Sequence, residues 1–351
     1  MIFKTAKHTA KLTYKAWYDT KHKREALEAL NNIQKTTHYV LTKRTKSMIK
    51  EYAREILGST RYAYWLYVYA AYNRNFVEGW IPDNYFGYVV APRANKGIGR
   101  IANVKTLSRR ILDCDLLPDK FYLIDGIFYD LEFNIVDPND VRRVVNSVDK
   151  ELYVKSDNSN QGKGVMRITK DNFDLQAILD IGDAVIQEPI IQSKWFNKII
   201  EGSVATIRVT TAKGSDGEVQ SKAAYLRVGR RDSQVVQSST AIKVPIIDQI
   251  GTLGDFGVGP NWEQYPEHPD SGFAFAGQLI PNFPRAIAEC ERLHRKLPNF
   301  AIIGWDVSIT EDGEVRIIEW NAGHPDIKFS EATTGPCFSD LGWEDMWKTQ
   351  Q

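Results

Sequence analysis

The chain has 351 residues, 43% of them hydrophobic and 25% charged, with a formal net charge of +1. That length and mixture can bury a large core divided among two or three lobes, and near-neutrality argues against wholesale nucleic-acid binding. No run approaches the roughly 20 apolar residues that span a bilayer, and the opening segment lacks a secretory apolar stretch. Cys114, Cys290 and Cys337 are too scattered for a disulfide or zinc framework, and the expected location is the cytoplasm.

Residues 1–84 read as a helical, basic and aromatic region. Leu27, Leu30 and Ile33 recur at intervals of three, and Met48, Tyr52 and Ile56 at intervals of four, which sets each group on one helix face. The aromatic run Tyr62 to Tyr69 reads as a buried element. Lysines and arginines far outnumber acids here. Such a surface suits a polyanion or an anionic membrane, and the plainer reading is the solvated face of amphipathic helices.

Residues 85–146 mix short apolar runs with turn signals at Leu117-Pro118-Asp119 and Asp125-Gly126, and read as a small α/β unit. Strand patterns follow at 152–154, 184–186, 205–209, 222–226, 302–305 and 315–318, with a helical pattern from Pro284 to Leu297. This order predicts an α+β protein of more than one lobe.

Two segments carry chemistry. From Tyr153 to Val165 the pattern is strand, polar loop, return strand. Its glycines (Gly162, Gly164) let backbone N–H groups approach an anion, and Lys155 supplies a fixed positive charge. The spacing is not that of a Walker A loop, and a plain hairpin with a flexible tip is the alternative.

The second segment is Ile302 to Asn321. With Asp312-Gly313 as a two-residue turn, Glu311 pairs with Glu314, and counting back sets Asp306 opposite Glu319, with Asn321 on the same face. Opposed carboxylates with Cβ atoms about 5 Å apart repel unless a cation lies between them. Two carboxylates and an amide oxygen suit magnesium rather than zinc. An exposed acidic strand face is the other reading, and a three-residue turn would break the counted pairing.

In sequence order these motifs resemble the ATP-grasp superfamily, and most closely its sugar-transfer-associated branch, found beside polysaccharide biosynthesis genes. The resemblance implies an α+β fold of two lobes gripping ATP, with an amino-terminal helical region outside the motifs. It implies a small lobe at 147–192 and a large lobe at 193–351. Lys105 and Lys155 are similar to the family's two phosphate-binding lysines. Ser159, Asn160, Gln161, Gly162 and Gly164 would cover the triphosphate, and Gln187, Glu188 and Ile190 resemble the linker that meets adenine. Arg208 and Arg227 resemble arginines facing the reacting phosphate, and Asp306, Glu319 and Asn321 resemble the metal ligands. The chain departs from the family at Gln237-Ser238-Ser239 and at Ala322 to Asp326, segments expected to face the acceptor; His324 there reads as a structural histidine.

The activity implied is an ATP- and Mg2+-dependent carboxylate–amine ligase working through an acyl phosphate. It would join an amino acid or amine to a uronic acid or other carboxylated glycan precursor. A kinase of a sugar or small metabolite would use the same ATP site. A non-catalytic nucleotide-binding module of a polysaccharide-assembly complex is the third reading.

Overall fold

The computed structural model describes residues 2–147, 151–159, 164–231 and 240–350. The chain opens with α1 (Ile2–Thr37), α2 (Lys43–Glu55) and α3 (Ala63–Asn73), then short turns α4 (Asp83–Tyr85) and α5 (Ala91–Ala94) flanking a π-turn over Phe86–Val90, and α6 (Lys105–Leu112). The aromatic run is the body of α3, where Trp65, Leu66, Val68 and Tyr69 are buried. Against it α1 turns Ala26, Ala29, Leu30 and Ile33, the two alanines allowing close approach. The expected faces are partly corrected: Leu27, Met48 and Ile56 are exposed, and α2 buries Ile49, Tyr52 and Ala53 instead. A spacing of exactly four drifts off a 3.6-residue stripe, so an i, i+3, i+4 set is what reaches the core.

Strands β1 (Asp119–Ile124), β2 (Ile127–Tyr129) and β3 (Ile135–Val136) are followed by α7 (Pro138–Ser147), β4 (Leu152–Ser156), β5 (Val165–Ile168), α8 (Leu175–Leu179) and β6 (Ala184–Gln187). They form one antiparallel sheet in the order β3-β2-β1-β6-β4-β5. The sheet therefore runs across the boundary expected at residue 147. Asp125 and Gly126, both with positive φ, make the tight turn between β1 and β2. Alternation divides the faces: Leu152, Val154 and Ile186 pack with Val141 and Val145 of α7, while Tyr153, Lys155 and Gln187 face the other way.

After α9 (Lys194–Asn197) come β7 (Thr206–Lys213), β8 (Val219–Val228), β9 (Ile242–Pro245), β10 (Gly257–Val258), β11 (Gln264–Tyr265), α10 (Phe283–Arg295), β12 (Ile302–Ile309), β13 (Val315–Asn321) and α11 (Lys328–Thr333). The second antiparallel sheet has the order β11-β10-β9-β8-β7-β12-β13. One face carries Ile207, Val209, Leu226, Trp305 and Val307 and is covered by Ala286, Cys290 and Leu293 of α10. The other face is polar.

The helical region is joined to this sheet rather than set apart from it. Its core takes in Tyr225, Ile302 and Phe329. Asn95 donates to the carbonyls of Ile302 and Ala322 and accepts from the N–H groups of Ala301 and Ile302. Buried Glu331 accepts from Ile81 and Cys337. No helix among the described residues is long and apolar enough to cross a membrane.

Candidate functional site

The polar face of the large sheet is built by register. Arg208 is the Cα partner of Asp306 on one side and of Tyr225 on the other, and Asp306 is in turn opposite Glu319. Next to this row lie Arg227, opposite Thr206, and Asn321, opposite Gly304. Same-face neighbours in an antiparallel sheet are close enough to interact directly, so residues 208, 227, 306, 319 and 321 form one constellation.

The turn behind it is not the one the sequence suggested. Thr310 and Glu314 close a three-residue loop of Glu311, Asp312 and Gly313, with Gly313 at φ 80° in the left-handed region. That loop alone would slide β13 by one residue and bring Ile318 opposite Asp306. A β-bulge between Val307 and Asp306 absorbs Ile318 as an extra residue and restores the pairing of Asp306 with Glu319.

Asp306 is 2% exposed. Arg208 holds it bidentately, Nε to Oδ1 at 2.5 Å and Nη2 to Oδ2 at 3.0 Å, and Arg227 Nη2 pairs with Oδ1 as well. Burial opposes ionisation of Asp306, but the two guanidinium groups outweigh it and hold the carboxyl well below its usual range. Glu319 has the opposite environment: burial, then the neighbouring Asp306, push its carboxyl up. Asn321 Nδ2 lies 3.4 Å from Glu319 Oε1. Gly304 leaves little room for a side chain: a Cβ there would meet Arg208 Nη1 at 3.0 Å and Pro325 at 3.2 Å.

The small sheet completes the site from the facing side. Lys155 is acidified by burial, and Glu319, Asp119 and Asp306 oppose that shift, so its ammonium is within electrostatic reach of the large-lobe acids. Lys105, at the start of α6, is no loose surface charge. Its Nζ donates to the carbonyls of Ser156 and Ser159, both at 2.9 Å, and to Ser159 Oγ at 3.2 Å. Asp157 accepts from the N–H and hydroxyl of Thr106, a second tie between loop and helix. Gly164 closes the loop by accepting from Ser156 N–H. Asn160, Gln161 and Gly162 lie outside the described residues, as do Gln237, Ser238 and Ser239.

Beside the lysines opens a cleft of about 390 Å³ lined by Tyr153, Lys155, Gln187, Glu188, Ile190 and Ile318, among others. Its volume is that of a small-molecule site, with apolar walls and a few convergent polar groups. The linker residues behave differently from one another. Glu188 is exposed and pairs with Lys120 at 3.1 Å. Gln187 is 3% exposed and donates to Asp119 Oδ1 at 2.7 Å. Tyr153, Ile318 and Asp119 were not singled out from sequence; the alternation of Tyr153 with Lys155 was the one signal available for any of them.

The oxygen donors fit a hard cation. Glu319 and Asn321 are half-buried and Asp306 lies opposite Glu319, although its two oxygens already serve the arginines. Among the described residues no group of three His, Cys, Asp or Glu side chains forms a metal site.

The site thus joins two sheeted lobes beside a cleft, with two lysines from one side and an Arg–acid–Asn array from the other. Residues 180–340 match the family described as sugar-transfer associated ATP-grasp. No curated protein matches. Among solved structures, the VanG D-Ala:D-Ser ligase from Enterococcus faecalis is similar at 11% identity, covering 70% of this chain and 61% of that one, with a TM-score of 0.43. The L-amino acid ligase from Bacillus licheniformis is similar at 13% identity, covering 73% and 49%, TM-score 0.40. The biotin carboxylase domain of the Hydrogenobacter thermophilus 2-oxoglutarate carboxylase, solved with MgADP and bicarbonate, is similar at 12% identity, covering 71% and 46%, TM-score 0.41. The chain spans about half the length of the solved chains it matches.

Proposed function

We propose that the protein is an ATP-dependent carboxylate–amine ligase. The observation that carries this reading is that Lys155 and Lys105 both lie within electrostatic reach of Glu319, the strand partner of Asp306, and that Asp306 in turn holds Arg208 and Arg227. ATP would place its adenine against Ile190, Ile318, Gln187 and Glu188 and its phosphates at the two lysines. Magnesium, held by Glu319 and Asn321 with Asp306 beside them, would neutralise phosphate charge.

Arg208 and Arg227, fixed by Asp306, are aimed by their shared partner and stabilise charge on the transferring phosphoryl group. A substrate carboxylate oxygen attacks the γ-phosphorus and ADP leaves, giving an acyl phosphate. An amine then attacks the carbonyl carbon, phosphate departs with the bonding electrons, and the nitrogen loses its proton to give the amide. A carboxylated glycan precursor as the species activated accords with the family's description.

The test is to incubate the protein with Mg2+, ATP, pooled amino acids and candidate uronic acids, and follow ADP, phosphate and amide by mass spectrometry. Amide with free phosphate is the expected result. A stable phosphorylated acceptor would make the protein a kinase, and nucleotide binding without turnover would make it a binding module.

A further inference from the structure

The helix α1 is held to the fold along one side. Asp19 pairs with Arg61 at 2.9 Å, His22 accepts from Trp65 Nε1 at 3.1 Å, and Ala26, Ala29, Leu30 and Ile33 pack toward α3. At about 100° per residue, Trp17, Thr20, Arg24 and Asn31 fall on the opposite side, with Tyr14, Lys21 and Leu27 at its margins. Trp17 and Tyr14 are 57% and 56% exposed with ring centroids 5.8 Å apart, and Leu27 is 43% exposed. Lys21 Nζ lies 5.7 Å from the Trp17 ring. An open groove on this side is lined by Thr20, Lys23, Arg24, Leu27, Glu28 and Asn31.

Charge is concentrated in the same region. Residues 1–56 contain thirteen Lys and Arg against five Asp and Glu, and because the whole chain has a net charge of +1, the remainder is net acidic. Three of the five acids are already engaged: Asp19 by Arg61, Glu25 by Lys21 at 3.9 Å and Glu55 by Arg54 at 2.7 Å. On α2, Lys43, Arg44, Lys50 and Arg54 are exposed, and Met48 among them is 46% exposed. The buried faces of α1 and α2 share one core, so both basic faces belong to the outside of the helical region.

We infer that the outer face of α1, together with the basic face of α2, docks on the surface of an anionic lipid bilayer. Indole and phenol rings settle at headgroup level, with the apolar body inward and the polar tip toward water, and Trp17 and Tyr14 present that pair beside Lys21 and Arg24. Attraction between basic side chains and an anionic leaflet fades within about 8 Å at physiological salt. A surface that lies flat against the leaflet therefore gains most, and the stripe from Tyr14 to Asn31 runs about 25 Å along one helix. Leu27 and Met48 add aliphatic surface that the headgroup boundary accepts. A nucleic acid would draw the same charges, but aliphatic side chains offer its bases no stacking face, and the acidic remainder of the chain repels a long polyanion. The inference is independent of the ligase reading.

The experiment is co-sedimentation of the full chain with vesicles of phosphatidylcholine alone and of phosphatidylcholine mixed with phosphatidylglycerol, over a series of salt concentrations, beside titration with a single-stranded oligonucleotide. The mixed vesicles are expected to bind at least tenfold more tightly than the neutral ones, with affinity falling as salt rises. The triple variant Lys21→Glu, Lys23→Glu, Arg24→Glu is expected to lose at least tenfold of that affinity, and Trp17→Ser to weaken it as well, both with melting curves like the parent's. Equal binding to the two vesicle types, no binding to either, or tighter binding to the oligonucleotide than to the mixed vesicles overturns the inference. So does undiminished vesicle binding by the folded triple variant. The comparisons on the parent chain decide the matter even if a variant does not fold.

Discussion

Asp306 and Glu319 are Cα partners across the last hairpin although the turn joining their strands is one residue longer than that pairing requires. The bulge at Ile318 corrects the register, so the site depends on two irregularities that cancel. Glu319 has been raised in pKa by burial and by Asp306, whereas Asp306 is neutralised by arginines. Glu319→Gln keeps the shape and removes the charge. It should weaken Mg·ATP binding at least tenfold, about 1.4 kcal/mol or more, and leave nucleotide-free Tm unchanged or higher. Titration of a fluorescent ATP analogue together with a melting curve checks both halves. Unchanged affinity would remove Glu319 from the metal set.

Asp306 has the reverse role. Its carboxylate is the counter-ion that allows Arg208 and Arg227, 6% and 5% exposed, to sit in the middle of a sheet. Asp306→Ala leaves two buried guanidinium groups facing each other, and loss of one partner from a buried ionic network costs about 3–5 kcal/mol. Denaturant unfolding should show a destabilisation of that size. A loss below about 1 kcal/mol would mean that water already compensates the arginines.

The hairpin was legible because strand alternation and an Asp-Gly turn signal are local. The longer turn was not, since loop length follows from backbone pairing that residue types only bias, and the bulge hid the discrepancy by giving the same partner for Asp306. Arg208 and Asp306 could each be marked as functional, but their bidentate pairing joins residues 98 positions apart and is visible only once β7 lies beside β12. The helical region was read as basic and solvated. Its buried polar groups, His22 and Asp83, carry no periodic signal that separates them from surface charges. The three bonds of Lys105 to the loop depend on α6 meeting the turn after β4, which its sequence neighbours do not signal.

Lys105 yields a prediction that separates holding the loop from binding the nucleotide. In Lys105→Met the carbonyls of Ser156 and Ser159 lose a charged donor, a change of about 1.5–3 kcal/mol for such a bond. Mg·ATP affinity should fall roughly tenfold, and hydrogen exchange should quicken at residues 156–159 in the nucleotide-free protein. Faster exchange with unchanged affinity would make Lys105 a brace for the loop alone.

The pH dependence of stability should pass through His294. It is buried against the apolar face of the large sheet, with Nδ1 2.7 Å from Thr211 Oγ1 and Nε2 3.1 Å from the Phe300 carbonyl. Thr211 Oγ1 also accepts from Trp305 Nε1 at 2.8 Å. A neutral ring donating from Nε2 and accepting at Nδ1 satisfies all these groups. Burial pulls its pKa down to about 4, against 6.5 when free. Between those values the unfolded chain binds the proton and the folded one does not, so stability is full above about pH 6.5 and is lost as pH falls toward 4. The shift corresponds to about 3 kcal/mol. In His294→Gln this increment is absent: the variant should be less stable than the parent at pH 7.5, and the gap should narrow as pH approaches 4.5. Denaturant midpoints at a series of pH values check this, and parallel pH profiles for the two proteins would show that His294 is not the titrating group.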